Sequence, residues 1–270
     1  MIINYLADIV NFDITFTNFT NILIRLKKQT ALCYTYLGDY MTVEIKPIAY
    51  IYNDYVHKFG VPRQSGIADT LVSKIIFTPE YRDVNSLRGM EGFSHLWLIW
   101  HFSLSEKKGR WSPTVRPPRL GGNKRIGVFA TRSPNRPNPL GLSAVKLIKI
   151  EESSLEGPVL YVTGADLVNG TPIFDIKPYI PFADSIENAK GGYTEDTSKY
   201  SVKVECSDEL IKIIPQEKRD TLLEILKNDP RPAYQNDPKR IYRFDFAEYD
   251  VHFCVKEDIL TVINIFCKKP

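Results

Sequence analysis

What most limits the fold of this chain is the rhythm of its apolar runs. From Met41 to Cys206 they are short, rich in β-branched and aromatic residues, and cut apart by Gly, Pro, Asn and Asp. The runs at 43–51, 70–78, 95–103, 126–131, 143–150, 158–165 and 200–206 read as strands. Separated by turn signals rather than by helical spacing, they point to an antiparallel barrel or sandwich and away from βαβ units. Within 143–150 the alternation is imperfect: Val145 and Leu147 alternate with Lys146, but Ile148 breaks the rhythm.

A second pattern follows. Pro215 to Asn228 reads as one helix with Leu222, Leu223 and Leu226 on a common face, and Asp229-Pro230 should stop it. Three strands, 241–247, 249–256 and 259–266, then close the chain. In the middle one Val251, Phe253 and Val255 share a face opposite His252, Cys254 and Lys256. Gly191-Gly192 and the polar run to Lys199 mark the boundary. The expected architecture is therefore mainly β: a small antiparallel barrel over 41–195 and an α+β domain over 200–270. Residues 1–40 do not share the strand pattern and are expected to be an extension outside the functional fold, translated from an upstream start. They lack the roughly 20 uninterrupted apolar residues of a membrane span. Their first cation, Arg25, lies behind Asp8 and Asp13, unlike the basic start of a secretory signal. The four cysteines (Cys33, Cys206, Cys254, Cys267) form neither a CxxC motif nor a disulfide framework, which fits a reducing cytoplasm.

Charge distribution says more than charge total. The net charge is only +3, yet residues 107–150 hold eleven Lys or Arg and no Asp or Glu. Six of the 18 prolines fall in the same stretch. Proline fixes φ and removes a backbone donor, so these loops should be stiff and poor at joining a sheet. Guanidiniums held on stiff loops make a preorganised site for phosphate or carboxylate. Each single cation can equally be a solvated surface charge, but solvated surfaces normally mix signs, and this run does not.

The centre of the run is Gly127-Val128-Phe129-Ala130-Thr131-Arg132-Ser133-Pro134-Asn135-Arg136-Pro137-Asn138-Pro139-Leu140-Gly141-Leu142-Ser143. It resembles the signature of the TsaA-like (TrmO) family, methyltransferases that use S-adenosylmethionine on threonylcarbamoyl-adenosine in tRNA. Further blocks resemble the family in order: Pro62-Arg63-Gln64, Gly92-Phe93-Ser94-His95-Leu96-Trp97, Pro113 to Gly122, Asp166 to Pro172 and Asp175 to Tyr179. Asp229-Pro230-Arg231-Pro232-Ala233-Tyr234 resembles the block of members that carry a C-terminal domain. The likeness spans residues 43 to 266 and nothing in 1–40.

The resemblance implies a β-barrel that binds S-adenosylmethionine without a Rossmann sheet, in a homodimer, acting beside the tRNA anticodon. No two glycines lie two positions apart, so the GxGxxG fingerprint is absent in agreement. By resemblance, cofactor contacts come from Arg63, Gln64 and Ser65, from Arg132 and Leu142, from the turn Asn169, Gly170, Thr171 and Pro172, and from Ser103 and Leu104. Asn169 stands where the family has an acid, and Ser103-Leu104 where it has a His-Gln pair. Leu142 also suits plain core packing.

A sulfonium methyl donor is reactive by itself, so the protein has mainly to align the reactants and exclude water. The acceptor nitrogen is conjugated to a purine and a carbonyl and is a poor nucleophile while it keeps its proton. A general base should help. Asp166, Asp175 and Tyr179 are the candidates by position, and Asp166 reads equally as a turn-forming residue. Arg116, Arg119 and Arg136 suit the phosphates and the threonine carboxylate of an anticodon loop. In the C-terminal block Arg231 and Tyr234 extend that surface; equally, Pro230 and Pro232 simply shape a domain junction. Trp111 offers a ring for base stacking, as does Phe129, although burial in a strand is the expected fate of Phe129. The four histidines form no HExxH or close pair, so no metal is expected. Two other readings stay open: a methyl-donor-responsive RNA-binding module without turnover, and a methyltransferase with another acceptor.

Overall fold

The computed structural model describes residues 43–105, 111–117, 120, 124–153, 155–197, 200–231 and 237–268. Residues 1–40, Arg119 and Tyr234 lie outside them. The chain divides into two units, Met1–Ile45 and Lys46–Pro270, and the second holds everything described below.

Six strands close an antiparallel barrel in the order β1-β2-β7-β6-β3-β8. They are β1 (Ala49–Tyr52), β2 (Ser73–Phe77), β3 (His95–His101), β6 (Leu140–Ser153), β7 (Gly157–Thr163) and β8 (Pro172–Pro178). Alternation decides what points inward: Leu96, Leu98 and Trp100 of β3 are buried while His95, Trp97, Ile99 and His101 are only half-buried. Ile51, Ile75, Val145, Leu160, Val162 and Ile173 complete the interior. Gly141 is needed where it stands, because a Cβ there would meet the Trp100 ring at 2.2 Å.

The irregularity in the 143–150 pattern has a structural cause. The β6–β7 register shifts between Leu147 and Lys149, which leaves Ile148 as the extra residue of a bulge, exposed. Two expectations are corrected. The run 126–131 is not a barrel strand: β5 (Ile126–Gly127) pairs only with β4 (Thr114–Val115), and Val128–Ala130 turns into a 3₁₀ helix. The run at 200–206 yields β9 (Lys203–Glu205), which lies parallel to the last strand in the C-terminal sheet. Strand β8 was not expected, since Pro172 and Pro178 at its ends read as turn residues.

After a short helix α1 (Pro181–Asp184) the chain reaches the C-terminal sheet. Its order is β10-β11-β12-β9, with β10 (Tyr242–Phe246), β11 (Tyr249–Lys256) and β12 (Ile259–Cys267). Val251, Phe253 and Val255 are buried on one face, and α3 (Gln216–Lys227) covers them with Leu222, Ile225 and Leu226; α2 (Asp208–Ile211) precedes it. Tyr55 and Leu71, from loops of the barrel, belong to this second core. Gly60, at φ +100°, lets Phe244 approach so closely that a Cβ would sit 2.6 Å from its ring.

Candidate active site

The strongest polar constellation is built inside the barrel wall. Trp100 Nε1 donates to Ser143 Oγ at 2.9 Å, and Ser143 Oγ donates to an Asp166 carboxylate oxygen at 2.5 Å. Ser143 is fully buried and Asp166 half-buried. Burial pushes the Asp166 carboxyl above the ordinary carboxylate range, while the Ser143 hydroxyl, the Arg132 charge and the Ser65 N–H pull it back. Ser143 and Trp100 escaped the sequence reading. The available signal was a hydroxyl at an inward position of an otherwise apolar strand, which demands a partner.

The loop carrying Arg63, Gln64 and Ser65 lies against this carboxylate. Gly66 N donates to Gly164 O at 2.9 Å, and the Arg132 guanidinium donates to Gln64 Oε1. Arg63 reaches the other way, with Nη2 donating to Arg231 O at 2.7 Å and to Asp229 O at 3.4 Å. The C-terminal domain thus holds one side of the loop and the barrel the other. Of the sequence-expected residues, Gln64, Ser65, Arg132 and Asp166 are brought together, while the Arg63 side chain is turned to the C-terminal domain.

Downstream of Asp166, residues Asn169 to Pro172 form a turn stitched to the end of β1. Asn169 Oδ1 accepts from Asn53 N at 3.0 Å, Asn169 N donates to Tyr55 O and Gly170 N to Ile51 O. Thr171 Oγ1 donates to Val168 O, and Gly170 sits at φ +76°. An amide serves here as well as an acid would, because the Asn169 oxygen only has to accept. The buried Tyr55 hydroxyl has no hydrogen-bond partner among the described residues, and its burial, with Glu224, Asp166 and Asp54 nearby, raises its pKa.

The remaining candidates lie on the outer wall. Asp175 pairs across to Ile99, forms an ion pair with Lys177 at 2.9 Å, and does not meet Asp166. Tyr179 packs on Trp97, ring centroids 5.5 Å apart, and on His95. Leu142 lies opposite Ile99 and is 56% exposed, so the core-packing reading of Leu142 is corrected. Ser103 and Leu104 form an exposed turn where β3 leaves the barrel, beside Phe102, whose N–H donates to Pro139 O.

The basic loop is held by hydroxyls where proline has removed backbone donors. Thr131 Oγ1 donates to Val128 O and accepts from Ser133 N, and Ser133 Oγ accepts from Asn135 N. Arg136 Nη1 donates to Thr131 O at 3.5 Å, and Arg116 is exposed past β4. Arg231 differs from both. It is 6% exposed, its Nε donates to both carboxylate oxygens of Asp229, and Nη2 donates to Tyr200 Oη. Its guanidinium therefore holds Asp229 and Tyr200 together within the C-terminal domain.

Comparison with known proteins adds to this geometry. Residues 50–185 match a family model described as the tRNA-methyltransferase O N-terminal domain, and 199–267 one described as the TrmO C-terminal domain. Over 198 residues the chain is 41% identical to the tRNA (adenine(37)-N6)-methyltransferase of Escherichia coli (strain K12), covering 71% of this chain and 83% of that one. It is 37% identical over 235 residues to RcsF of Pseudomonas aeruginosa, whose name describes an S-adenosylmethionine-dependent methyltransferase, covering 83% and 98%. A crystal structure of TrmO from Pseudomonas aeruginosa superposes with a TM-score of 0.67 at 30% identity, over 84% of this chain and all of that one.

Proposed function

This chain belongs to the tRNA-methyltransferase O family, and from that premise we propose that it methylates N6 of adenine 37 in tRNA with S-adenosylmethionine, the acceptor base carrying a threonylcarbamoyl group. One observation carries the assignment to this site: the Arg63–Ser65 loop, Arg132 and a half-buried Asp166 meet at one place in the barrel wall. That set suits the methyl donor, whose carboxylate fits a guanidinium, and leaves Asp166 to face the acceptor nitrogen. Arg63, Gln64, Ser65 and Arg132 would hold it, with the Asn169–Pro172 turn closing one side. When bound it supplies an electrophilic methyl on sulfonium.

The chain's own residues then have three tasks. Asp166, oriented by Ser143 and Trp100, takes the N6 proton, so that the electron pair of the broken N–H bond stays on nitrogen as the nucleophile. A carboxylate poised above the ordinary range is the stronger base for that step. Asp175, paired to Lys177 on the outer wall, is left out of the proton transfer. Arg116 and Arg136 receive phosphates and the threonine carboxylate.

We further propose a cytoplasmic homodimer joined through the outer wall. Leu142, Ile99 and Tyr179 give that wall its apolar surface, and Phe182, 92% exposed on α1, stands beyond it. The family match begins at residue 50, which supports reading residues 1–40 as outside the methyltransferase fold.

The decisive experiment incubates purified protein and methyl-labelled S-adenosylmethionine with tRNA that carries or lacks the threonylcarbamoyl group. Label should enter only the modified tRNA, in a base recovered as its N6-methyl form. Equal labelling of both tRNAs overturns the acceptor assignment, and donor binding without any labelling favours a binding module.

A further inference from the structure

We propose that Trp111 and Phe129 form a stacking platform for an unpaired base of the RNA substrate, outside the methyl-transfer site. The proposal rests on reading the chain as a tRNA methyltransferase and adds a positioning element to it.

The two rings lie 5.9 Å apart, tilted by 39°, and both face solvent: Phe129 is 71% exposed and Trp111 47%. Folding does not need Phe129 outside. Within the same 3₁₀ turn Val128 takes the inward place and is 1% exposed, and Thr131 N and Oγ1 both donate to Val128 O, fixing the turn so that Phe129 projects. Single exposed apolar side chains are common, but two rings brought together on a rigid frame are not what a fold produces for its own packing. The frame is the β4–β5 ribbon. Thr114 pairs with Gly127 and Val115 with Ile126, and Val128 N donates to Pro113 O at 2.9 Å where the ribbon ends.

The opposite end of the ribbon is cationic. Arg116 follows Val115, and Lys124 and Arg125 precede Ile126. Arg125 Nη1 rests on the neutral Thr114 Oγ1 at 3.0 Å, and no acid occurs anywhere from 107 to 150 to discharge the group. Arg125 and Phe129 flank the two extended residues Ile126–Gly127, which span about 7 Å at 3.3 Å per residue. A flat aromatic surface at one end and cations at the other match a base and its flanking phosphates. Stacking of this kind accepts any base, because each offers a π face. A second copy of this chain fits less well, since it would bring the same acid-free run of eleven cations against itself.

The test uses the full chain with Trp111→Leu and Phe129→Leu, which keep apolar bulk but remove the π face, and Trp111→Phe and Phe129→Tyr, which restore a ring. Methylation kinetics on threonylcarbamoyl-bearing tRNA, anisotropy of a labelled anticodon stem-loop, donor affinity, melting temperature and oligomeric state are read for each. The leucine variants should raise KM and the stem-loop Kd by roughly 5- to 100-fold. Melting temperature, donor affinity and the kcat extrapolated to saturation should stay near wild type, and the aromatic variants should recover most of the loss. Leucine variants that bind RNA like wild type overturn the platform, as does a shift toward monomer, which would make the rings a protein interface. If wild-type protein methylates no tRNA, the underlying reading fails separately, and the anisotropy series still judges the platform.

Discussion

The C-terminal sheet and the larger barrel use their interiors differently. The sheet's core is built of aliphatic and aromatic side chains, with Phe244, Phe246, Phe253, Val251, Val255 and Leu260 under Leu222 and Leu226 of the helix. The barrel gives interior positions to Ser73 and Ser143 and sets Asp166 behind Ser143. A buried polar group costs free energy unless it is fully partnered, and a buried carboxylate costs more. The sheet therefore reads as support, and the barrel as the place where stability is given up for chemistry.

The largest expected effect tests that contrast in both directions at once. Asp166→Asn keeps an oxygen that accepts from Ser143 but cannot take a proton, so kcat should fall about 10²- to 10⁴-fold with donor affinity retained. Stability should move the opposite way. A carboxyl whose pKa is raised by folding imposes a penalty that is absent below its unfolded pKa and complete above its folded pKa. The variant should thus melt higher than wild type at neutral pH, with the gain fading as pH falls through the ordinary carboxylate range. In wild type, kcat should drop on the acid side at a pH above that range. Thermal melts and initial rates across pH check both, and an Asp166→Asn protein that is less stable at neutral pH breaks the contrast.

Next in size is the junction between the regions. Asp229 and Arg231 are both buried and paired at 2.9 Å, so Asp229→Ala breaks a buried ion pair and should cost about 3–5 kcal/mol in denaturant unfolding. Because the carbonyls of 229 and 231 hold Arg63, donor KM should rise in whatever protein folds. Asp229→Asn should be milder, since asparagine tolerates the positive φ of 48° found there.

The smallest effect belongs to the sheet. Ile265→Val, in the C-terminal core, should cost about 0.5–1.5 kcal/mol and leave kcat unchanged. A kcat that falls with it would mean that the two regions are coupled through packing, beyond the Arg63 contact.

Much of the fold was legible because alternation and punctuation act locally. The helix begins one residue after Pro215, and the faces of β11 follow its pattern residue by residue. The broken rhythm at Ile148 was a true signal, that of a bulge. What failed was non-local. Strand β8 exists because β3 and β1 offer it ladders, which its own prolines and charges do not announce. Phe129 alternates like a strand residue, but Val128 and Thr131 close a 3₁₀ turn that reverses its direction. The site was legible in part. Gln64, Ser65, Arg132 and Asp166 converge, whereas Asp175 and Tyr179, near Asp166 in sequence, face the other side of the wall. The partners Ser143 and Trp100 come from β6 and β3, 43 residues apart, a distance that no local pattern spans.

The grip on Arg63 has an evolutionary side. Its acceptors at 229 and 231 are main-chain oxygens, present whatever side chains those positions carry. Substitution in that turn therefore reaches the anchor only through the bend, which the buried Asp229–Arg231 pair holds in place. Position 63 is stricter, because one side-chain nitrogen, Nη2, must stretch to both oxygens. Mutational tolerance across this contact should be lopsided, set by backbone shape on the side that accepts and by side-chain reach on the side that donates.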